Sequence, residues 1–351
     1  MTYALPPFTL HRPGSVDEAL ALAAEHEGAL FLAGGTDLMV NLRKRLHEPA
    51  HVIDIKGLQE LGTITREKDQ LLLGAGVTLN TLAGDPLVRE HLPILAESAG
   101  LVAGPTLRGM GTLGGNLCLD TRCRYYNQSY FWRSANDFCL KKDGTVCHVA
   151  PGGTFCWAAF SGDTAPALLV LDAEVELVGP KGQRTIPLTQ FYGKDGRWSV
   201  GTEPGGKEPG ELMVRVRVPL PGKTPPGKAW DGVYEKLRVR ESIDYPLVGL
   251  ALTLAREQGE GSPLTGVRMA LTAVAPRPLL VPGLEPLVGK PMSLETVDHL
   301  QRAGNKAGKP MRTSVADPAY RRTMIGALIE KAVARLEPGL SEALAERHTL
   351  E

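Results

Sequence analysis

Residues 121–156 read "TRCRYYNQSYFWRSANDFCLKKDGTVCHVAPGGTFC" and hold four of the chain's five cysteines, Cys123, Cys139, Cys147 and Cys156; the fifth, Cys118, lies just upstream. No other feature limits the fold so sharply. The segment reads as a loop, and a loop of more than about 30 residues inside a compact domain needs something to order it. The cysteine intervals of 16, 8 and 9 positions lack the paired C-x-x-C knuckles of structural zinc and the compact run of bacterial ferredoxins. Four thiolates converging from one loop still supply the all-sulfur coordination that suits zinc or an iron–sulfur cluster. Unrelated buried cysteines are the plain alternative, but those should be spread over core strands. Spacing stops at metal or cluster and does not choose iron over zinc.

Charge narrows the function. Lys+Arg and Asp+Glu each number 39, which removes bulk attraction to nucleic acid or an anionic membrane. No apolar run approaches the ~18 residues of a membrane span. The opening "MTYALPPFTLHRPGSVDEAL" has no basic stretch followed by an apolar one, so no signal peptide is read and a cytoplasmic protein is expected. Structural disulfides are rare there, and five is an awkward number for full pairing.

At 351 residues the chain should divide into two or three domains. Ser15 with Glu18 forms a capping-box pattern ahead of a helix. "ALFLAGGTDLMVNLRKRL" then "HVIDI" reads as strand, Gly-Gly turn, helix from near Asp37, and strand. "LGTITREKDQLLLGAGVTLNTLA" gives two strands around a charged turn. "EHLPILAESAGLVAG" reads as a helix, and "APALLVLDAEVELVGPKGQRTIPL" as paired strands followed by the strand "ELMVRVRVP". The Pro/Gly/Lys-rich "PLPGKTPPGKAW" marks a domain boundary. Beyond it come strands, then helices, the last with Asp317 as N-cap and Pro318 at its first position.

Two glycine loops stand out. "LAGGTDL" between strand and helix lets backbone N–H groups approach an anion, although a tight turn alone uses the same residues. "GMGTLGGN" contains a formal G-x-G-x-x-G, but a helix precedes it and the cysteine loop follows, so it is no Rossmann fingerprint. Two such loops in one domain suggest a diphosphate held from two sides. P-loop, nucleophile-elbow and H-E-x-x-H motifs are absent. The eight histidines are scattered along the sequence, and only His148, beside Cys147, is placed to compete as a metal ligand.

The segments "AGGTDL", "TLGGNL", "SGDTAPALLVLDAEVEL", "ELMVRVRVP", "YEKLRVRESIDYPLVGLAL" and "DPAYRRTMIGALIEKAV" occur in the order found in FAD-binding medium subunits of molybdenum hydroxylases, which the chain resembles over nearly its whole length. The resemblance implies an α+β protein. A two-lobed FAD-binding domain would span residues 1–220 and an α+β C-terminal domain, antiparallel sheet plus helices, residues 228–340. Most members pass almost directly from the second glycine loop to the S-x-x-x-D segment. Here roughly 40 residues, about 118–158, are inserted. The insertion is similar to that of 4-hydroxybenzoyl-CoA reductase β subunits, which implies Cys123, Cys139, Cys147 and Cys156 as ligands of a [4Fe-4S] cluster and leaves Cys118 as a packed thiol.

Carried over by motif, Leu30, Phe31, Leu32, Ala33, Gly34, Gly35, Thr36 and Asp37 would form the first FAD diphosphate loop. Thr112, Leu113, Gly114, Gly115 and Asn116 would form the second. Asp163 matches an aspartate that contacts the flavin nucleotide, Lys236 a lysine near the isoalloxazine, and Val102 and Met213 other contact positions. Arg124 would reach the cofactor, and Tyr125, Tyr126 and Trp132 are candidates for the aromatic that shields the flavin. No catalytic residue is expected. The implied role is electron transfer from a ferredoxin-like donor, by way of cluster and FAD, to partner subunits carrying [2Fe-2S] centres and the molybdenum cofactor.

Overall fold

A computed structural model describes residues 4–197, 207, 210–220 and 230–347. The Pro-rich boundary expected at 219–230 falls mostly on residues outside that set. Three sheets organise the described chain. The first lobe is built on a three-stranded parallel sheet, β1 (Thr9–His11), β2 (Leu30–Leu32) and β3 (His51–Asp54), with β3 central. Parallel neighbours need crossovers, and the helices Val16–Glu25 and Leu38–Arg43 supply them. Ser15 caps the first of these, accepting the Glu18 N–H at 3.1 Å. The Glu18 carboxylate turns to the Gly14 N–H at 2.6 Å, so only half of the capping box forms.

The second lobe is antiparallel, not a second α/β unit. Its five strands run in the order β4 (Ile64–Glu67), β5 (Gln70–Gly74), β8 (Leu212–Pro219), β6 (Glu174–Gly179), β7 (Gly182–Pro187). The segment read as paired strands from Ala165 onward begins instead as the helix Thr164–Val170, buried at every residue. A short, continuously apolar run carries no period that separates a buried helix from a buried strand. The β6–β7 hairpin follows it as expected.

The third sheet carries β9 (Trp230–Leu237), β10 (Val248–Arg256), β11 (Leu264–Thr272) and β12 (Leu279–Leu280), all antiparallel. Strand β10 is buried at every position because both of its faces are covered. Leu250, Leu252 and Leu254 enter the C-terminal core with the helices Leu294–Ala307 and Pro318–Leu336. On the opposite face Ala251 joins the core of the second lobe, where the buried helix Thr164–Val170 lies against β10 and β11. Period-two alternation of leucine with Gly249, Ala251 and Thr253 thus lets one strand serve two cores. The expected Asp317 cap and Pro318 start are present, with Asp317 accepting the Ala319 N–H at 2.7 Å.

Backbone bonds also cross between the domains. The Phe160 N–H donates to the Ala275 carbonyl at 3.0 Å, and the Ala273 N–H donates to the Phe160 carbonyl at 2.8 Å. Among the described residues, no helix is long and apolar enough to cross a membrane.

Candidate flavin cleft and cysteine nest

A cleft of about 750 Å³ opens where the two N-terminal lobes and the start of the C-terminal domain meet. That size is ordinary for a cofactor or small-ligand site. All of Leu30 to Asp37 except Leu32 faces it. The loop is shaped by a close approach: a Cβ on Gly34 would lie 1.9 Å from the Met110 carbonyl oxygen, and Gly35 sits at φ +72°. The two glycine loops therefore touch through backbone, which only glycine permits. Among the described residues the N–H groups of Gly34, Gly35, Thr36 and Asp37 donate to no protein acceptor. A run of unspent donors at the mouth of a cleft is an anion cradle.

The second loop behaves differently. Thr112, Gly115 and Asn116 line the cleft, but most of its donors are already engaged. Leu113 and Gly114 donate to the Val77 and Ala75 carbonyls at 2.9 and 2.8 Å, and Gly115 donates to the Thr112 hydroxyl at 3.1 Å. Leu113 is fully buried, and Gly114 packs so tightly that a Cβ would lie 2.8 Å from Ala75. Asn116 reaches across, its side-chain oxygen accepting the Thr164 hydroxyl at 2.6 Å.

Asp163 and Lys236, far apart in sequence, form a buried pair. The Lys236 Nζ lies 3.0 Å from the Asp163 carboxylate and donates to the Leu101 carbonyl at 2.9 Å; the Tyr234 hydroxyl donates to Asp163 at 2.7 Å. Both side chains are almost fully buried. Burial pushes the Asp163 carboxyl up, while the Lys236 ammonium and the Tyr234 hydroxyl pull it back. Asp163 and Val102 line the cleft, with Lys236 behind the aspartate.

Two expected contacts lie elsewhere. Met213, on β8, points into the core of the second lobe. Arg124 donates its backbone N–H to the Thr313 carbonyl at 2.7 Å and lays its guanidinium over the Tyr125 ring. Arg122 instead sits behind the cleft wall, and the arginine that lines the cleft is Arg197; Arg122 is tied to three lining residues. It bridges Asp37, the Asn41 side chain (3.2 Å) and the Tyr245 hydroxyl (3.3 Å). Arg122 forms a β-bridge with Ala159. Of the aromatic candidates, Tyr126 lines the cleft, Trp132 is partly exposed on the surface helix Tyr130–Ala135, and Tyr125 packs beside the thiols. Tyr245, inside the quoted motif that carries Lys236 but not singled out there, also lines the cleft.

The cysteine segment is compact with little regular structure. Cys123, Cys139, Cys147 and Cys156 are all buried. Cys123, Cys139 and Cys156 pack with Leu46, Tyr126 and Ala158, and Cys147 lies close enough to raise the thiols of both Cys123 and Cys156 electrostatically. Burial, aided by these neighbours, pushes Cys123 up to about 11 and Cys156 up to about 12. Both are protonated at neutral pH, so ligation there would release protons. His148 bonds its Nε2 to the Phe138 carbonyl and packs its ring beside Tyr125. Cys118 is half-buried and lines the cleft, its thiol raised by burial to about 11.

Two buried cations fasten the segment down. Arg133 donates to the Lys44 and Arg45 carbonyls at 3.2 and 3.0 Å. Lys141 pairs with Asp120 at 2.8 Å and sits over the Tyr126 ring, whose hydroxyl donates to the same Asp120 at 2.9 Å. Desolvation pushes Asp120 up, but Lys141 and His47 outweigh it and hold the carboxyl well below the usual range. Tyr126 and Leu46 belong to both regions, forming a shared wall between thiols and cleft.

Residues 6–221 match the model of the FAD-binding domain in molybdopterin dehydrogenase, and residues 233–336 that of the CO dehydrogenase flavoprotein C-terminal domain. The chain belongs to the FAD-binding subunits of molybdenum hydroxylases. It is 31% identical to the carbon monoxide dehydrogenase medium chain of Hydrogenophaga pseudoflava, over 93% of this chain and 96% of that one. It is 33% identical to the aldehyde oxidoreductase FAD-binding subunit of Escherichia coli K12, over 77% and 82% respectively. The solved carbon monoxide dehydrogenase of H. pseudoflava superposes with a TM-score of 0.75 at 28% identity, covering 95% of this chain and 98% of that one. This flavin subunit is thus an oxidoreductase component, and the open N–H groups of Gly34 to Asp37 are of the kind a cofactor diphosphate requires.

Proposed function

We propose that this flavin subunit carries FAD in the cleft and a [4Fe-4S] cluster on Cys123, Cys139, Cys147 and Cys156. It would act as the electron-transfer β subunit of a molybdenum enzyme of the 4-hydroxybenzoyl-CoA reductase type. The observation that carries the reading is the nest of four buried thiols directly behind the Tyr126–Leu46 wall of the cleft. Four thiolates from one loop can supply the all-sulfur coordination of an iron–sulfur cluster, and the resemblance of the inserted loop favours iron over zinc.

The first loop would hold the diphosphate on its free N–H groups, and the Asp163–Lys236–Tyr234 set would fix the far wall. Bound FAD supplies the ability to exchange one or two electrons. The site residues proposed are Leu30 to Asp37, Val102, Thr112 to Asn116, Asp163 and Lys236, with Arg122 in place of Arg124. In the proposed complex, a molybdenum-cofactor subunit and a [2Fe-2S] subunit complete a heterotrimer, doubled, and a ferredoxin-like donor supplies electrons. On the partner, 4-hydroxybenzoyl-CoA, two electrons and two protons would give benzoyl-CoA and water. A second reading follows from the relatives, named for carbon monoxide, aldehyde and xanthine dehydrogenation: a subunit that passes electrons outward from an oxidised substrate.

The deciding experiment is an anaerobic ultraviolet–visible spectrum of the purified chain with flavin, iron, sulfide and zinc quantified on one sample. About four irons, four sulfides and one FAD per chain are expected. FAD without iron after anaerobic reconstitution would end the cluster assignment and the reductase reading with it. Cys139→Ser should remove the iron and spare the FAD.

A further inference from the structure

Three histidines outside the cleft converge on one point of the first lobe. His11 ends β1, His26 follows the helix Val16–Glu25 as its C-cap, and His51 begins β3. The His11 Nε2 lies 3.0 Å from the His51 Nδ1. The His26 and His51 rings stack in parallel with centroids 3.9 Å apart, and His11 stacks on both. One nitrogen of each ring lies within 4.8 Å of the other two. Among the described residues this is the one group of three or more histidine, cysteine or carboxylate side chains gathered so closely.

We propose that this trio binds a divalent transition metal of the zinc class, through three imidazole nitrogens, as a structural clip on the first lobe. Zinc bonds to imidazole nitrogen at about 2.0–2.1 Å and would bring tetrahedral ligands to about 3.3 Å from one another, so the widest pair closes by about 1.5 Å; because an imidazole ligates in its own plane, the His26 ring also turns out of its parallel stack on His51 when the ion binds. The His11–His51 contact is already there. One of its two nitrogens carries the shared proton, and binding moves that proton to the other nitrogen of its own ring, leaving both contact atoms as acceptors. Glu25, 4.0 Å from the His26 Nε2, or a water takes the fourth position. No thiol or catalytic group lies in the set, so the ion would hold structure only.

The lobe has reason to be clipped. Its strands β1 and β2 are three residues each, and β1 is held to the sheet only through β3. The lobe's buried cluster is a handful of side chains such as Val16, Ala19 and Ile53, a core of the size that small folds supplement with a metal. An ion on His11, His26 and His51 would tie β1, the first helix and β3 together at the end of the sheet. None of the three histidines lines the flavin cleft.

The test uses the full chain, purified anaerobically with its own cofactors and titrated with Co²⁺. One Co²⁺ should bind with tetrahedral visible bands and no thiolate charge-transfer band, and His26→Gln should weaken it by about 100-fold or more while His148→Gln leaves it unchanged. On the wild type loaded with Zn²⁺, X-ray absorption should show a first shell of nitrogen and oxygen only, which stands even if a histidine variant fails to fold. A thiolate band that persists in His26→Gln, a sulfur shell around the zinc, or no uptake at all would each overturn the proposal.

Discussion

The cleft and the cysteine nest share one wall yet are held together in opposite ways. In the cleft, the polar groups are paired or positioned by the fold itself: Asp163 meets Lys236 and Tyr234, and Gly34 rests against Met110. In the nest, four thiols face one another with little regular structure around them, and Arg133 and Lys141 tether the chain at its edges. The first is preorganised. The second is shaped by burial and by the tethers at its edges. The difference separates what a variant should damage.

The largest effect is expected from Gly34→Val. A side chain there collides with the backbone of the second loop, so the flavin-to-chain ratio should fall at least about 100-fold while iron is retained; equal loss of both would erase the distinction between the regions. Next comes Lys236→Met, which strands a buried carboxylate and should cost about 3–5 kcal/mol in denaturant unfolding. Burial already raises Asp163, and without the ammonium the folded form keeps its proton to still higher pH. The loss relative to wild type should therefore grow as pH rises through the folded-state titration of Asp163, which burial already sets above the ordinary carboxylate range.

A third effect belongs to the shared wall. Asp120 is held low by Lys141, so its stabilisation is present above about pH 4 and fades as pH falls below that. Lys141→Met should remove about 1–3 kcal/mol at neutral pH and move acid unfolding to higher pH. An unchanged acid midpoint would mean the Asp120–Lys141 pair contributes nothing to the nest. The smallest effect, about 1 kcal/mol, is expected from Thr112→Ala, which removes the cap on the Gly115 N–H. Flavin affinity should move less than with Gly34→Val, because the second loop's donors are mostly engaged within the protein.

Motifs gave away most of the cleft. Both glycine loops, Asp163 and Lys236 come together from positions named in the sequence, since short ordered motifs mark places where backbone must approach backbone. What stayed hidden has physical reasons. Arg122 and Arg124 are two apart, and composition says nothing about which of them contacts the residues that line the cleft. Tyr245 stood within a quoted motif, but nothing in the loop's residues marked which of them would face the cleft. Met213 sits on an alternating strand, where either face was open until the five-stranded sheet assigned it to the core. The histidine trio escaped because ligands drawn from β1, a helix cap and β3 have no spacing signature. The helix Thr164–Val170 escaped because uniform burial erases its period.

The strand β10 and the Phe160 exchange with Ala273 and Ala275 also bear on how such proteins recombine. A domain swap spliced at the Pro-rich boundary would import foreign partners for Phe160 and a foreign Tyr234 and Lys236 beneath a native Asp163. The natural unit of exchange is therefore not the sequence cassette. It is the cassette together with residues 159–164, a short piece of the neighbouring domain that must travel with it or be matched by the host.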